Sequence, residues 1–206
     1  MTGRSATAAA RTPRWVLAAA DDPAAVRARW QADPRCCVSL ATGRTFDAVT
    51  LDLRTGMEVI DLLRRRVGGL AAARAARPGP AAHPAVSGSA RRPARPRPVL
   101  FPTLVDGARG RMRLLLPRGA ARWLGGLPAA RDVEYHGAGT PIAVPGPAAA
   151  AVAGGAGPAW AVRPGAPVER LRGQLGPLAA ALETARLTVG WCTGPTVESQ
   201  PYAGVR

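Results

Sequence analysis

The segment 71–98 constrains this chain more than any other feature, because it splits the sequence into two patterned halves. It contains six arginines and no acidic residue, and most of its other residues are Ala, Pro, Gly or Ser. A segment with so few large apolar side chains cannot bury enough surface to offset the entropy of ordering itself. We therefore predict a flexible insertion at 71–98, a disordered arm at 1–14 and a tail at 189–206.

The formal net charge of +15 is concentrated in two of these segments. All 28 basic residues are arginine, and nine of them lie in 1–14 (three) and 71–98 (six), with no acid beside them. The better-patterned regions are nearly balanced, which argues against a deep basic groove. Two interpretations of 71–98 stay open: a basic arm that contacts phosphates through residues such as Arg91 and Arg92, or a linker whose arginines are incidental, which we favour.

The sequence contains no signal for a membrane or for a disulfide framework. No run of about 20 strongly apolar residues is present, and Arg4 and Arg11 interrupt any signal-peptide core near the N-terminus. The three cysteines form neither a disulfide framework nor a Cys-x-x-Cys metal pair. We predict a cytoplasmic protein with reduced thiols and no membrane partner.

Hydrophobic periodicity predicts helices and strands in both halves. In the first half, the capping pair Asp22-Pro23 starts a helix, and an amphipathic helix follows Gly56. The predicted apolar face of that second helix is Met57, Ile60, Leu63 and Val67, with Arg64, Arg65 and Arg66 closing it. The predicted strands of this half are 37–40 and 46–53.

The second half adds more strands and a helical end. We predict a hairpin of 99–105 with 111–116, a short helix over 117–124 anchored by Trp123, and an edge strand at 160–162. We also predict that 133–135 and 140–144 pair around a glycine turn. The resulting fold class is α+β (mixed α/β): a domain over 15–165, interrupted at 71–98, with a C-terminal helical segment at 166–188.

Two stretches carry a resemblance to a known family. The first, Pro34 to Gly56, reads P-R-C-C-V-S-L-A-T-G-R-T-F-D-A-V-T-L-D-L-R-T-G, and the second, Gly137 to Pro147, reads G-A-G-T-P-I-A-V-P-G-P. Together they resemble the N-terminal domain of bacterial and phage bifunctional DNA primase–polymerases, in the archaeo-eukaryotic primase superfamily, and in particular short actinobacterial members. The positions that match are Trp30, Thr42, Gly43, Asp52 and Gly56. The resemblance implies a primase–polymerase-like sheet with flanking helices.

The resemblance also implies a chemistry and its residues. Nucleotidyl transfer in that superfamily uses two divalent metals, Mg²⁺ or Mn²⁺, held by carboxylates, with a basic or His side chain on the nucleotide phosphates. Asp52 corresponds to the second acid of an Asp-x-Asp pair, and Glu134 or Asp132 to a third acid. Arg113 stands at the position of a strand histidine. Asp52 and Glu134 would be the catalytic pair, and Asp52, Glu134 and Asp132 the metal ligands, if the domain is active.

Two substitutions separate this chain from the family pattern, one at the first acid and one at the strand histidine, which Arg113 replaces. Thr50 stands where the first acid belongs, and a neutral hydroxyl is a poor Mg²⁺ ligand beside a carboxylate. Arg113 can still pair with a triphosphate as a planar fork. We therefore predict a catalytically degenerate domain with no certain cofactor, whose possible partners are DNA or nucleotide, bound through Arg113, Arg111 and the 71–98 segment.

Each candidate residue also has an ordinary structural interpretation. Asp52 can cap the helix that follows it, Arg113 and Glu134 can be solvent-facing strand residues, and His136 can be a turn residue without function. Asp47 lies on the opposite face of its strand from Asp52, because side chains alternate along a strand. Two other functions stay open: an active DNA primase or polymerase, and a non-catalytic scaffold for a protein partner.

Overall fold

The computed structural model describes residues 13–75, 100–125, 133–149 and 157–192, without the side chains of 67–75 and 190–192. Most of the predicted arm, insertion and tail lie outside these residues. Asp132, Arg91 and Arg92 also lie outside them, so these three site predictions stay predictions.

The described residues form helices and strands in both halves of the chain, which confirms the α+β class. The helices are α1 (Arg14–Leu17), α2 (Pro23–Ala32), α3 (Leu53–Ala75) and α4 (Leu175–Cys192), with 3₁₀ segments at Ala120–Trp123 and Val168–Gln174. The strands are β1 (Cys37–Ala41), β2 (Asp47–Asp52), β3 (Thr103–Asp106), β4 (Arg111–Leu116), β5 (Val133–His136), β6 (Pro141–Pro145) and β7 (Pro158–Val162). The predicted N-cap of α2 is present, because the Asp22 carboxylate accepts hydrogen bonds from the amides of Ala24 and Ala25.

The strands form two antiparallel sheets. Five of them pair in the order β5-β2-β4-β3-β7, and β1 pairs with β6 in a separate two-stranded ribbon. The predicted hairpin is present as β3 and β4, and the predicted edge strand is present as β7. Strand β2 is therefore paired on both sides, by β4 and by β5.

A hydrophobic core lies on each face of the five-stranded sheet. On one face, β2 and β4 pack through Val49, Leu51 and Leu114 against α3 and α4. On the other face, Ala48, Leu104 and Leu115 pack against the β1–β6 ribbon, α1 and α2. Because side chains alternate along a strand, Thr50 lies on the same face as Ala48.

Three of our predictions about these elements were wrong. The strands at 133–135 and 140–144 do not pair with each other, because the turn between them carries the chain from one sheet to the other. Trp123 is not an anchor: its side chain is exposed, and the neighbouring Leu124 is buried in its place. Met57 is exposed as well, and Val59 takes its place on the buried face of α3.

Helix α3 continues to Ala75, well past the arginine triplet that we expected to end it. Residues 71–73 are all alanine, which has the highest helix propensity of any residue. At its start, Gly56 lets α3 approach β4 closely, because a Cβ at this position would lie only 2.8 Å from the Cβ of Met112. Among the helices of the described residues, none combines the length and hydropathy needed to span a bilayer.

Candidate functional site

Polar side chains from three neighbouring strands meet on one face of the central sheet. In the pairing register, Thr50 of β2 lies directly opposite Arg113 of β4 on one side and Glu134 of β5 on the other. Arg111 and His136 each lie two residues from these neighbours and therefore point to the same face. We call Thr50, Arg111, Arg113, Glu134 and His136 the sheet-face cluster.

Thr50 makes hydrogen bonds to two other members of this cluster, Arg113 and His136. Its side chain is buried, and its Oγ1 lies 3.1 Å from Nε of Arg113 and 2.7 Å from Nε2 of His136. The guanidinium can only donate, so the threonine oxygen accepts from Arg113. Towards Nε2 of His136 the same hydroxyl donates or accepts, according to the tautomer of the imidazole.

The electrostatics of His136 agree with a neutral ring. Burial lowers the pKa of His136 below its ordinary value, because the charged form loses its hydration. Glu134, whose Oε2 lies 3.9 Å from Nε2, opposes this shift, whereas Arg113 and Arg111 add to the lowering. The imidazole of His136 is therefore mostly uncharged at neutral pH.

The two arginines of the cluster are in different situations. Arg111 donates to Oε2 of Glu134 at 3.1 Å, so its charge is paired. Arg113 is half-buried, and its Nε donates a hydrogen bond to Thr50. Within the described residues, its guanidinium makes no ion pair with a carboxylate. The terminal amino groups of Arg113 are thus the uncompensated positive charge of this face.

The acids predicted as catalytic are engaged in the structure. Oδ1 of Asp52 accepts a hydrogen bond of 2.9 Å from the amide of Thr55, which caps the first turn of α3. The Glu134 carboxylate is paired with Arg111. Asp47 lies on the helix-facing side of the sheet, as its place on the strand predicts, where it accepts hydrogen bonds from Gly119 and from Tyr135.

The described side chains of this face do not fit a pair of divalent metals. Such sites hold two ions about 3.5–4 Å apart between converging carboxylates. In the parts of the chain that the structure describes, no group of three His, Cys, Asp or Glu side chains could hold a metal ion. Opposite Thr50, Arg113 presents a cation, which repels a divalent metal and attracts an anion. The donor set of this face therefore suits an anion.

Sequence reasoning missed His136. We assigned it to a turn because the predicted strand stopped at Tyr135, whereas β5 runs one residue further and ends on the histidine. The signal was present in the spacing, since Glu134 and His136 are two residues apart and so share a face if the strand includes both. His136 thereby places an imidazole on the same face as Arg113, from the strand on the other side of β2.

The lowered pKa of His136 predicts how stability depends on pH. The unfolded chain binds a proton near the ordinary histidine pKa of about 6.5, but the folded chain resists protonation. The stability that neutral His136 contributes is therefore complete above about pH 6.5 and falls as the pH drops towards the lower pKa of the folded state. We expect urea denaturation to show that the wild type loses more stability than H136Q between pH 7.5 and 5. An equal loss in both proteins would contradict this prediction.

Comparison with known proteins identifies the family. A family model described as the N-terminal domain of bifunctional DNA primase/polymerase matches residues 2–170, which include every residue of the sheet-face cluster. Comparison with curated proteins and with solved structures gives no match. Since the family model covers more than half of the 206 residues, the chain belongs to the family of bifunctional DNA primase/polymerase N-terminal domains.

Proposed function

We propose that this chain is a degenerate primase–polymerase domain that binds the phosphates of a nucleotide or of DNA but does not transfer nucleotides. The observation that carries the proposal is the Thr50 hydroxyl held between Arg113 and His136. It puts a neutral side chain and a cation at the centre of the face where a metal pair would require carboxylates.

The binding part of the proposal rests on Arg113. A half-buried guanidinium without a carboxylate partner has lost part of its hydration, and a bound anion restores the lost interaction energy. Because Nε is held by Thr50, the guanidinium plane is fixed before any ligand arrives. A fixed planar fork matches the geometry of phosphate oxygens, which favours phosphate as the ligand.

The proposed loss of nucleotidyl transfer is supported by the hydrogen bonds that the carboxylates of this face already make. Each of the three carboxylates on this face already has a partner: Asp52 accepts from the Thr55 amide, Glu134 from the Arg111 guanidinium, and Asp106 from Arg109. A metal would have to compete for these carboxylates, close to the positive charge of Arg113. An active primase or polymerase is the second candidate, because Asp52 and Glu134 do share one face of the sheet. We also propose that the chain is a short actinobacterial member of the family and that its ancestry lies in DNA replication.

Primer extension separates the two candidates. We expect the full chain to give no extension of a labelled primer and no primer synthesis on a single-stranded template, with either Mg²⁺ or Mn²⁺. Template-dependent product from the wild type that disappears in D52N would establish the active enzyme and overturn the loss of transfer chemistry.

Binding is tested separately, with ATP as the probe in metal-free buffer. We expect R113Q to bind ATP at the sheet-face cluster about tenfold more weakly than the wild type, which corresponds to losing one charge-assisted hydrogen-bonding group. R113K should not restore the affinity, because an ammonium lacks the planar fork. The matched control is R65Q, which makes the same charge change on an exposed arginine of α3. Equal affinities of R113Q and wild type would contradict the binding proposal and favour the scaffold interpretation.

Salt dependence tests for nucleic acid as the partner. If single-stranded DNA lies against Arg113, its affinity should fall steeply with salt, because each neutralised phosphate releases counterions. The slope of log affinity against log salt should become shallower by about 0.7 in R113Q, the value for one phosphate on a single strand. An unchanged slope would place DNA elsewhere on the protein.

A further inference from the structure

A second concave site lies at the other end of the central sheet. It is a pocket of about 660 Å³ whose wall contains Arg44, Arg118, Arg122 and Arg172, and we call it the arginine pocket. Its wall includes Gly119, whose amide donates to Asp47 on the helix-facing side of the sheet, whereas the sheet-face cluster lies on the opposite face. The pocket and the cluster have no residue in common, so the pocket is a distinct site.

The charge of the arginine pocket is not balanced by its own acids. Arg44 pairs with Asp21, and Arg172 pairs with Glu169. Arg118 and Arg122 make no ion pair with any carboxylate of the described residues, and the guanidinium of Arg122 lies 5.8 Å from the ring centre of Trp123. Both arginines are exposed and line the same concavity, so the two guanidiniums attract an anion there that no carboxylate displaces.

Hydrogen bonds hold the wall of the pocket in place. The amide of Arg118 donates to Oε1 of Glu169 at 3.1 Å. Arg172 donates through Nε to Oε2 of Glu169 at 2.6 Å and through Nη2 to the carbonyl of Arg118 at 3.2 Å. These contacts join the segment after β4 to the 3₁₀ segment Val168–Gln174, so the pocket is formed before a ligand binds.

Two polar atoms in the residues of the wall lack partners. Nε1 of Trp15 and Oγ1 of Thr45 are buried and make no hydrogen bond within the described residues. A buried donor without an acceptor costs about 1–3 kcal/mol, and an ordered water that bridges these atoms to the pocket would supply the missing partner. The half-buried Trp15 provides an apolar surface in the same wall.

We propose that the arginine pocket binds a phosphorylated small molecule of nucleotide size, in addition to the ligand of the sheet-face cluster. Its phosphate pairs with Arg118 and Arg122, and its ring lies against Trp15. The volume is within the range of about 300–1,000 Å³ found for small-molecule pockets.

The test is an NMR titration of the ¹⁵N-labelled full chain with AMP, without metal. We expect saturable shifts of the amide signals of Thr45, Gly119 and Val168. In R118Q/R122Q these shifts should require at least about tenfold more AMP, because both unpaired guanidiniums are lost. R113Q should leave these shifts unchanged. Loss of binding at the sheet-face cluster would instead appear only at the amides of Thr50 and His136, so the two proposals fail in distinguishable ways.

The control is R65Q/R66Q, which removes two exposed arginines of α3 that are not part of the pocket. If R65Q/R66Q and R118Q/R122Q weaken AMP binding equally, the loss of affinity is due to net charge alone, and the proposal is overturned. The absence of shifts in the wild type, or equal affinity for AMP and inorganic phosphate, would also overturn it. Shifts with oligothymidylate but not with AMP would assign the pocket to a nucleic-acid backbone instead. The dispersion of the spectrum reports folding, and R118Q alone serves if the double variant does not fold.

Discussion

Replacing Gly43 by alanine should destabilise the fold by at least about 3 kcal/mol, the largest single-residue effect that we expect. Gly43 has a φ of +85°, a left-handed conformation that costs a residue with a side chain about 1–2 kcal/mol. A methyl group here would also overlap the Cα of Ala138 and lie 2.7 Å from its Cβ. The overlap involves backbone, so the two turns must separate.

Gly139 provides the matched control for this prediction. Its φ of +83° is nearly the same, but a Cβ there would meet nothing within 4 Å. G139A should therefore lose only the conformational term, about 1–2 kcal/mol. Urea denaturation of both variants measures the difference, and equal losses in G43A and G139A would show that the contact with Ala138 contributes nothing.

The second large effect is expected at Asp47, where alanine should cost about 3 kcal/mol. The Asp47 carboxylate is 3% exposed and accepts hydrogen bonds from the Gly119 amide, at 2.6 Å, and from the Tyr135 hydroxyl. Removing it takes the charged acceptor from the Gly119 amide and from the half-buried Tyr135 hydroxyl, and a hydrogen bond to a charged group contributes about 1.5–3 kcal/mol. D47N keeps an acceptor oxygen and should lose distinctly less stability.

Tyrosine titration gives an independent measure of the same contact. Burial and the hydrogen bond to Asp47 raise the pKa of Tyr135 to about 12. In D47A the contribution from the hydrogen bond is lost, so the pKa of Tyr135 should fall while burial keeps it above its ordinary value. An unchanged pKa together with unchanged stability would contradict the role that we assign to Asp47.

Local patterns predicted most of the elements, because each of them depends on neighbours in the sequence. The cap at Asp22, the strand β2 and the β3–β4 hairpin follow from turn chemistry and alternation, and all are present. The partners of β5 and β6 could not be predicted in this way. The short spacing around Gly137 suggested a hairpin, but the Thr42 hydroxyl donates to the carbonyls of Gly137 and Thr140 and ties this turn to the other sheet.

Alternation predicts which residues of the candidate site share a face of the sheet, but not which of them contact each other. Alternation placed Thr50 and Asp52 together on one face and Asp47 on the other, and the structure agrees. The pairing of Arg111 with Glu134 depends on which strands flank β2, which no local pattern reports. The arginine pocket could not be predicted from the sequence for the same reason, because Arg44, Arg118 and Arg172 come together only through long-range packing.

The pairing of β2 with β4 and β5 has a consequence for how this domain family can diversify. Backbone hydrogen bonds fix the spacing of Thr50, Arg113 and Glu134, whatever side chains occupy those positions. Exchanging a carboxylate for a hydroxyl, or a histidine for a guanidinium, alters the chemistry of this face while the framework stays intact. The loss of nucleotidyl transfer that we propose would then require a few point substitutions and no reshaping of the scaffold.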